Sequence, residues 1–367
     1  MAGLIIDQAG NLYGTASGGG QTNGCFSGCG VAFRLKPSSG GWILTPLYLF
    51  QGGQQSGLDG ANPEARMVFA ADGTLYGTTF DGGGNSCNTS TCGTVFKLSP
   101  PATACKSALC GWDETVVYRF IGPPHAGLPI NGPLVFDQAG NLYGTARGGP
   151  EGYGVIYELT HSGGAWSEDD LADGGNPFTG VIFDTTGNLY GGNQGEGYGG
   201  IYQLVHSGSG WTMNPILTVL SGDTGGPPLG GLIFDDSGNL YGSMAGAGPN
   251  GGGTVFELSA GTWNFNLLYG LSGEEGPEES LTMDSSGNVY GTTWGDGAYD
   301  YGNVFKLSPS ANGWVYTDLY DFTGGSDGAY PVSNVVIDAQ GNLYGSASRG
   351  GSESCSNGCG VVWEITP

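Results

Sequence analysis

Between residues 294 and 301 the chain reads Trp294-Gly295-Asp296-Gly297-Ala298-Tyr299-Asp300-Tyr301, three aromatic rings and two carboxylates in one glycine-spaced stretch. Aromatic faces beside hydrogen-bonding carboxylates suit neutral sugars, whose C–H surfaces stack on rings without needing charge. The plainer alternative is that the rings fold back onto neighbouring structure. Phe80, Asp81, Arg66, Arg147 and Arg349 occupy comparable points in other parts of the chain and join Trp294, Asp296, Tyr299, Asp300 and Tyr301 as the candidate ligand-binding set. Catalysis asks for more. A glycosidase needs two carboxyls roughly 5 to 10 Å apart, one with a raised pKa. Glu196, Asp81, Asp296 and Asp300 are available, but nothing in the sequence brings two of them together. His125, His161 and His206 are the only histidines, and they form no Ser-His-Asp or metal constellation. No catalytic residue is assigned, and a binding protein is favoured over an enzyme.

No metal ligand is assigned either. Asp81-Gly82-Gly83-Gly84-Asn85 and the 296–300 stretch could offer oxygens to calcium, but neither has the full Asp-x-Asp-x-Asp-Gly spacing. The eight cysteines fall into four close pairs, Cys25/Cys29, Cys87/Cys92, Cys105/Cys110 and Cys355/Cys359, each in a Gly, Ser or Asn-rich loop. Local disulfides are the simplest pairing and imply an oxidising, extracellular or cell-surface location. The competing reading is zinc shared by Cys25, Cys29, Cys355 and Cys359, which occupy one repeat position in the first and last units; structural zinc usually favours other spacings.

Nine Lys and Arg oppose 33 Asp and Glu, a formal charge of −24 that repels phosphate backbones and anionic lipid. Nucleic acid is not expected as a partner, and no apolar run approaches the roughly 20 residues of a membrane helix, so direct insertion is not expected. Any export signal or anchor is expected outside these residues.

A repeat positions the candidate residues. Around Gly10, Gly73, Gly140, Gly187, Gly238, Gly287 and Gly341 the same phrase returns: a short apolar run, a Gly turn, then a strand carrying Tyr-Gly. A period of about 50 residues with strands indicates a propeller. In each unit a short apolar strand such as Leu134-Val135-Phe136 should be buried on both faces. The turn Asp137-Gln138-Ala139-Gly140-Asn141 leads to a second strand, where the recurrent Tyr packs between blades with its hydroxyl on a backbone partner. A third strand of the type Val304-Phe305-Lys306-Leu307 follows, and a fourth begins at Trp42, Trp112, Trp166, Trp211, Trp263 and Trp314, usually with Leu-Tyr-x-Phe after it. The last unit has no fourth strand, which is read as outermost because losing an inner strand would breach the core. Residues Val361, Val362, Trp363, Glu364 and Ile365 should therefore form an open edge, which either a terminal segment outside these residues completes or another molecule's strand joins.

The phrase Asp-x-x-Gly-Asn-Leu-Tyr-Gly-Thr, then Gly-Gly, Gly-x-Val-Phe-Lys-Leu-Ser-Pro, Trp and Leu-Tyr-x-Phe resembles the Gloeobacter/Verrucomicrobia (GloVer) tandem repeat of bacterial surface proteins over essentially the whole chain. Its first two strands are also similar to those of NHL-type propellers. The resemblance implies a secreted or surface-anchored propeller, often tethered by a separate sorting segment, and carries no catalytic residues.

The expectation is an all-β, seven-bladed β-propeller with four antiparallel strands per blade, the last blade lacking its outer strand, in a single domain over 1–367. Its expected role is a non-catalytic binding or interaction protein, taking a neutral glycan or a protein on its Gly-rich loop face. The alternatives are a structural or adhesive subunit that self-associates through the open edge, and a carbohydrate-active hydrolase or lyase.

Overall fold

The computed structural model describes residues 2–366 apart from 23–24, 26, 53–58, 85, 88–89, 102–110, 124, 130–131, 150–151, 196–198, 209, 220–224, 274–275, 353–354 and 356–357. The protein is all-β, with seven blades of a seven-bladed β-propeller arrangement. Six blades have the four-strand order first, second, third, fourth, all antiparallel. The third blade, for example, runs Val135–Phe136, Leu142–Gly148, Val155–Ser162 and Ala165–Asp173. The last has Val336–Ile337, Leu343–Arg349 and Val361–Ile365, with no fourth strand among the described residues. Contacts group the chain into two compact units, Met1–Gly180 and Val181–Pro367, dividing between repeats. The first carries three blades and the second four.

Each recurring residue has a physical reason. The turn glycines Gly10, Gly73, Gly140, Gly187, Gly238, Gly287 and Gly341 all have φ between +77° and +89°, a region that costs a residue with a Cβ. The Tyr-Gly glycine lies opposite the third-strand aromatic: Gly14 pairs Phe33, Gly144 pairs Tyr157, Gly291 pairs Phe305 and Gly345 pairs Trp363. A Cβ at Gly291 would sit 2.6 Å from Phe305 Cζ, so the ring occupies the space a side chain would need.

The first strand departs from expectation. Only two residues pair, and both are half-buried in six of the seven blades; full burial falls on the residue before them, Leu4, Met67, Leu134, Val181, Leu232, Leu281 or Val335. In blades such as the fifth and sixth that residue packs with the third-strand ring against the Tyr-Gly glycine. The fourth strand alternates exposed and half-buried residues and forms the solvent edge of its sheet. It carries a bulge in all six copies, at Leu47, Val117, Leu171, Ile216, Leu268 and Leu319. The bulge lets the Leu of Leu-Tyr-x-Phe turn inward next to its Tyr.

The Tyr of Tyr-Gly packs between consecutive blades, as Tyr13 does on Phe69 (5.3 Å) and Trp112 (6.0 Å). Its hydroxyl, however, finds a carboxylate rather than a backbone group. Asp7 Oδ2 accepts from Tyr13 Oη at 3.0 Å and from Asn11 Nδ2 at 2.7 Å, while Oδ1 accepts the Ala9 and Asn11 amides at 2.9 Å. The same net recurs at Asp184 and Asp338. Burial alone would raise the Asp7 carboxyl, but these donors outweigh it and hold the group below its ordinary value. The second blade lacks that acid, and there Lys97 lies over the Tyr76 ring and pairs with Asp72. The following Thr clasps the next blade: Thr15, Thr145 and Thr292 donate to the carbonyls of Ala65, Thr179 and Ser333.

Cys25–Cys29, Cys87–Cys92 and Cys355–Cys359 are disulfides. This overturns the zinc reading, because a bonded sulfur pair has no thiolate to give a metal. Cys105 and Cys110 lie outside the described residues. No helix among the described residues is long and apolar enough to cross a membrane.

Candidate functional site

Three segments entering a blade share one backbone device. Asn62, Asn176 and Tyr330 each precede a proline and each adopt a left-handed conformation, with φ of 54°, 58° and 55°. Each N–H donates back to the preceding loop, Asn62 to Cys29 O, Asn176 to Tyr153 O, and Tyr330 to Tyr301 O at 2.8 Å. Asn tolerates this region, whereas an aromatic residue pays for it. The segment then pairs with the tail of its blade's second strand, as in Ala329 with Arg349 and Pro331 with Ala347. That pairing places the ring of Tyr330 among side chains of the 294–301 loop and Arg349.

Trp294 packs against Tyr330 with ring centroids 4.2 Å apart, the Arg349 guanidinium lies 4.8 Å over the same ring, and Tyr301 meets it edge-on at 5.7 Å. Trp294 is half-buried, while Tyr301 is 38% and Tyr299 57% exposed. Three of the candidates read from the sequence, Trp294, Tyr301 and Arg349, thus converge, around a residue that the sequence reading did not select. The carboxylates do not join them in that role. Asp296 Oδ1 accepts the Gly297 amide at 2.8 Å and its carbonyl accepts Gly302 N at 2.9 Å, so Asp296 shapes its own loop. Asp300 is exposed with φ 59°.

A smaller version occurs in the first unit. Arg147 lies 6.0 Å over the Phe80 ring, which follows the second strand of the second blade as Trp294 follows that of the sixth. Asp81 accepts from Asn62 Nδ2 at 3.4 Å, and burial raises its carboxyl. Burial also raises Glu64, with Asp81 adding to the rise and Arg147 opposing it. Arg66 is half-buried just ahead of the strand Val68–Phe69, and Glu196 lies outside the described residues. Glu64 escaped the sequence reading because Asn62-Pro63-Glu64 looks like an ordinary turn.

The carboxyls that do converge lie on the fourth strands. Glu168 Oε2 accepts from Tyr118 Oη at 2.7 Å and its Oε1 from Ala126 N at 3.2 Å; Asp170 beside it faces His125 Nδ1 at 3.4 Å. Burial, with Asp170 adding, pushes Glu168 up to about 7. Glu114 is likewise pushed up to about 7, by burial and then by Asp59. Glu168 joins one blade to the next, since Tyr118 belongs to the blade before it. Among the described residues no group of three or more His, Cys, Asp or Glu is placed to hold a metal ion.

The Gloeobacter/Verrucomicrobia repeat model matches residues 1–232, 89–284 and 129–363. The chain belongs to this repeat family. The match spans every blade of the Gloeobacter/Verrucomicrobia repeat protein, including the Trp294 to Arg349 cluster. No curated protein is significantly similar to it in sequence. Among solved structures it is similar to the GH74 xyloglucanase of Xanthomonas campestris (TM-score 0.60, 13% identity, 94% of this chain and 50% of that one). A candidate 6-phosphogluconolactonase of Bacteroides uniformis (TM-score 0.55, 12% identity, 92% and 89%) and a Lactobacillus plantarum protein (TM-score 0.53, 13%, 97% and 99%) are also similar. At these identities the likeness concerns the fold of the repeat protein alone, and a fold hosts many chemistries.

Proposed function

We propose that this repeat protein is a secreted or cell-surface binding propeller that takes a neutral glycan on Trp294, Tyr301, Tyr330 and Arg349. One observation carries the reading: Tyr330 is held at φ 55°, where two equivalent positions carry Asn, and its ring is the hub of the cluster. A left-handed aromatic costs on the order of 1–2 kcal/mol, and such strain concentrates at ligand sites. The exposed Tyr301 and Tyr299 rings offer stacking faces, and Arg349 offers hydrogen-bond donors to hydroxyls. A net charge of −24 favours neutral over anionic sugars. The local disulfides fit an oxidising compartment.

The test is a glycan array followed by calorimetry on the parent, Trp294→Ala and Tyr330→Asn. Tyr330→Asn keeps a residue suited to the backbone and removes only the ring, so it should fold at least as stably. Each variant should bind roughly threefold to tenfold more weakly, the worth of one ring contact. Failure of the parent to bind any neutral glycan at millimolar concentration, or unchanged binding in both variants, refutes the reading. Turnover of a bound glycan would instead establish the hydrolase or lyase alternative.

A further inference from the structure

Two loops that enter a blade share one closure. Tyr48 Oη donates to Asp59 Oδ2 at 2.7 Å, and the same oxygen takes the Gln51 amide at 3.0 Å. Tyr320 Oη donates to Asp327 Oδ2 at 3.1 Å, with the Thr323 amide on that oxygen at 2.8 Å. Each of these acids stands four residues before the proline of its segment, Pro63 or Pro331. Four residues before Pro129, at the entry to the third blade, the chain carries His125 instead. Histidine in that place leaves Tyr118, the counterpart of Tyr48 and Tyr320, without a carboxylate in its own loop. Its hydroxyl goes to Glu168 on the fourth strand of the third blade. The other oxygen of Glu168 takes the amide of Ala126, the first residue of the entering strand Ala126–Pro129. His125 turns to Asp170, with Nδ1 3.4 Å from Oδ2, and about half of its side chain meets water.

We propose that Glu168, Asp170 and His125 form a proton-operated clamp, which holds the segment entering the third blade in mild acid and loosens it as the medium turns alkaline. Among the described residues the titratable groups that face Glu168 are Tyr118 from the second blade, Tyr157 on the third strand, Asp170 on its own strand and, past Asp170, His125. Burial, then the charge of Glu168, raises the Tyr157 hydroxyl, and burial, then the bond to Glu168, raises that of Tyr118, so both keep their protons. The other three groups set the charge. Below neutrality Glu168 keeps its proton, and His125, of a side-chain type that gains charge as pH falls, balances Asp170. Above neutrality two carboxylates face each other with no cation between them. Burial, with Asp170 adding, pushes Glu168 up to about 7 in the closed clamp, from an ordinary 4.5. A carboxyl raised in this way stabilises the closed form at low pH, and that stabilisation is lost as pH rises through the raised value. The strand so held pairs Leu128 with Arg147, so the clamp reaches the contact of Arg147 with Phe80.

Hydrogen exchange on the full chain reads the clamp, because local opening frees the Ala126 amide. With Glu168 at about 7 when closed and at an ordinary 4.5 when open, the opening constant rises about tenfold between pH 6 and pH 8. The protection factor of Ala126, corrected for intrinsic exchange, should fall by that factor. Thr323 is the control. Burial would raise its acceptor Asp327, but hydrogen bonds outweigh this and hold that carboxyl low, so Thr323 protection should stay within about twofold over the same range. Glu168→Gln keeps acceptors for Tyr118 and Ala126 and has no proton to lose, so its Ala126 protection should be flat with pH. His125→Asn, at a half-exposed site, should lower Ala126 protection at pH 6 by about threefold, the scale of a partly exposed ion pair, and leave it unchanged at pH 8. Parent Ala126 protection that stays flat or rises, an equal fall at Thr323, a Glu168→Gln variant as pH-dependent as the parent, or His125→Asn unchanged at pH 6 overturns the proposal. Trp294, Tyr301, Tyr330 and Arg349 take no part in this assay, so the glycan reading stands or falls separately.

Discussion

The Tyr-Gly glycine gives the sharpest test of why this repeat repeats. A Cβ on Gly291 would lie 2.6 Å and 2.9 Å from Phe305 Cζ and Cε1 and 3.0 Å from Leu281 Cδ2. Phe305 is fully buried in a core with Val289, Leu307, Leu271 and Leu281, so its ring has nowhere to retreat. Overpacking of this kind costs about 1–3 kcal/mol. Alanine returns about 0.4–1 kcal/mol by restricting the unfolded chain. Gly291→Ala should therefore destabilise by about 1–2 kcal/mol in urea unfolding followed by circular dichroism. In Phe305→Leu the smaller side chain vacates the contested space, so the double variant should be more stable than the sum of the singles by about 1 kcal/mol. Gly287 supplies the contrast. Its Cβ would meet nothing nearer than Pro309 at 4.0 Å, but its φ is +77°. Gly287→Ala should cost a similar amount through backbone strain, with no relief from Phe305→Leu. A neutral Gly291→Ala, or strict additivity with Phe305→Leu, would refute steric exclusion as the reason for the glycine.

Tyr157 and Tyr202 take the place of that Phe in two blades, and each buries a hydroxyl with no partner among the described residues. Tyr157→Phe and Tyr202→Phe should each stabilise by about 1 kcal/mol or more in urea titration; destabilisation would point to a partner that the side chain does find. Stability should peak in mild acid. Burial pushes the Glu114 and Glu168 carboxyls up to about 7 in the folded protein, from an ordinary value of 4.5. The folded state therefore holds extra protons in that interval, and stability falls as pH rises from about 4.5 through 7. Asp7, Asp184, Asp284 and Asp338 are lowered from 3.8, burial being outweighed by their hydrogen bonds, so their contribution is present above that value and lost as pH falls below it. Melting temperature should drop between pH 5 and pH 8, less steeply in Glu168→Gln; a rise over that range counts against the assignment. Reducing the disulfides, which close loops of four or five residues, should cost about 2 kcal/mol each by loop entropy. Unchanged melting with thiols shown free by titration would contradict this.

Much of the fold was legible because the signals are local and repeated. Turn glycines, apolar runs and Trp-headed strands each reflect constraints within about ten residues, and the family phrase joins them. What stayed hidden depends on partners far apart in sequence. The bulge that turns Leu171 inward is visible only once Ile156 is seen opposite Ala172 and Tyr157 opposite Asp170. The hydroxyl of Tyr13 was expected on a backbone group, but the antiparallel hairpin carries it back over Asp7, six residues earlier. Nothing near Glu168 in sequence marks it out, and only the neighbouring blade's Tyr118 shows why it is half-buried.

Tyr330 shows how a residue proposed to hold a ligand can hide inside a repeat. Composition offers no alarm at Ala329-Tyr330-Pro331, since Tyr is common in the chain and proline opens several units. The signal lies in a comparison between positions. Asn62-Pro63 and Asn176-Pro177 have an Asn where the backbone turns left-handed, which is the residue that conformation prefers. A Tyr in the same place gives up that preference, and packing alone offers weak compensation, because Trp294 and Tyr301 both keep surface exposed to water. Local sequence and local structure disagree there, and such disagreements are where a protein trades stability for something else. The Tyr330→Asn variant therefore decides more than affinity. If it gains stability and loses glycan, the strained ring is there for the ligand; if it loses stability instead, the cluster is an ordinary clasp between blades and the site must be sought elsewhere.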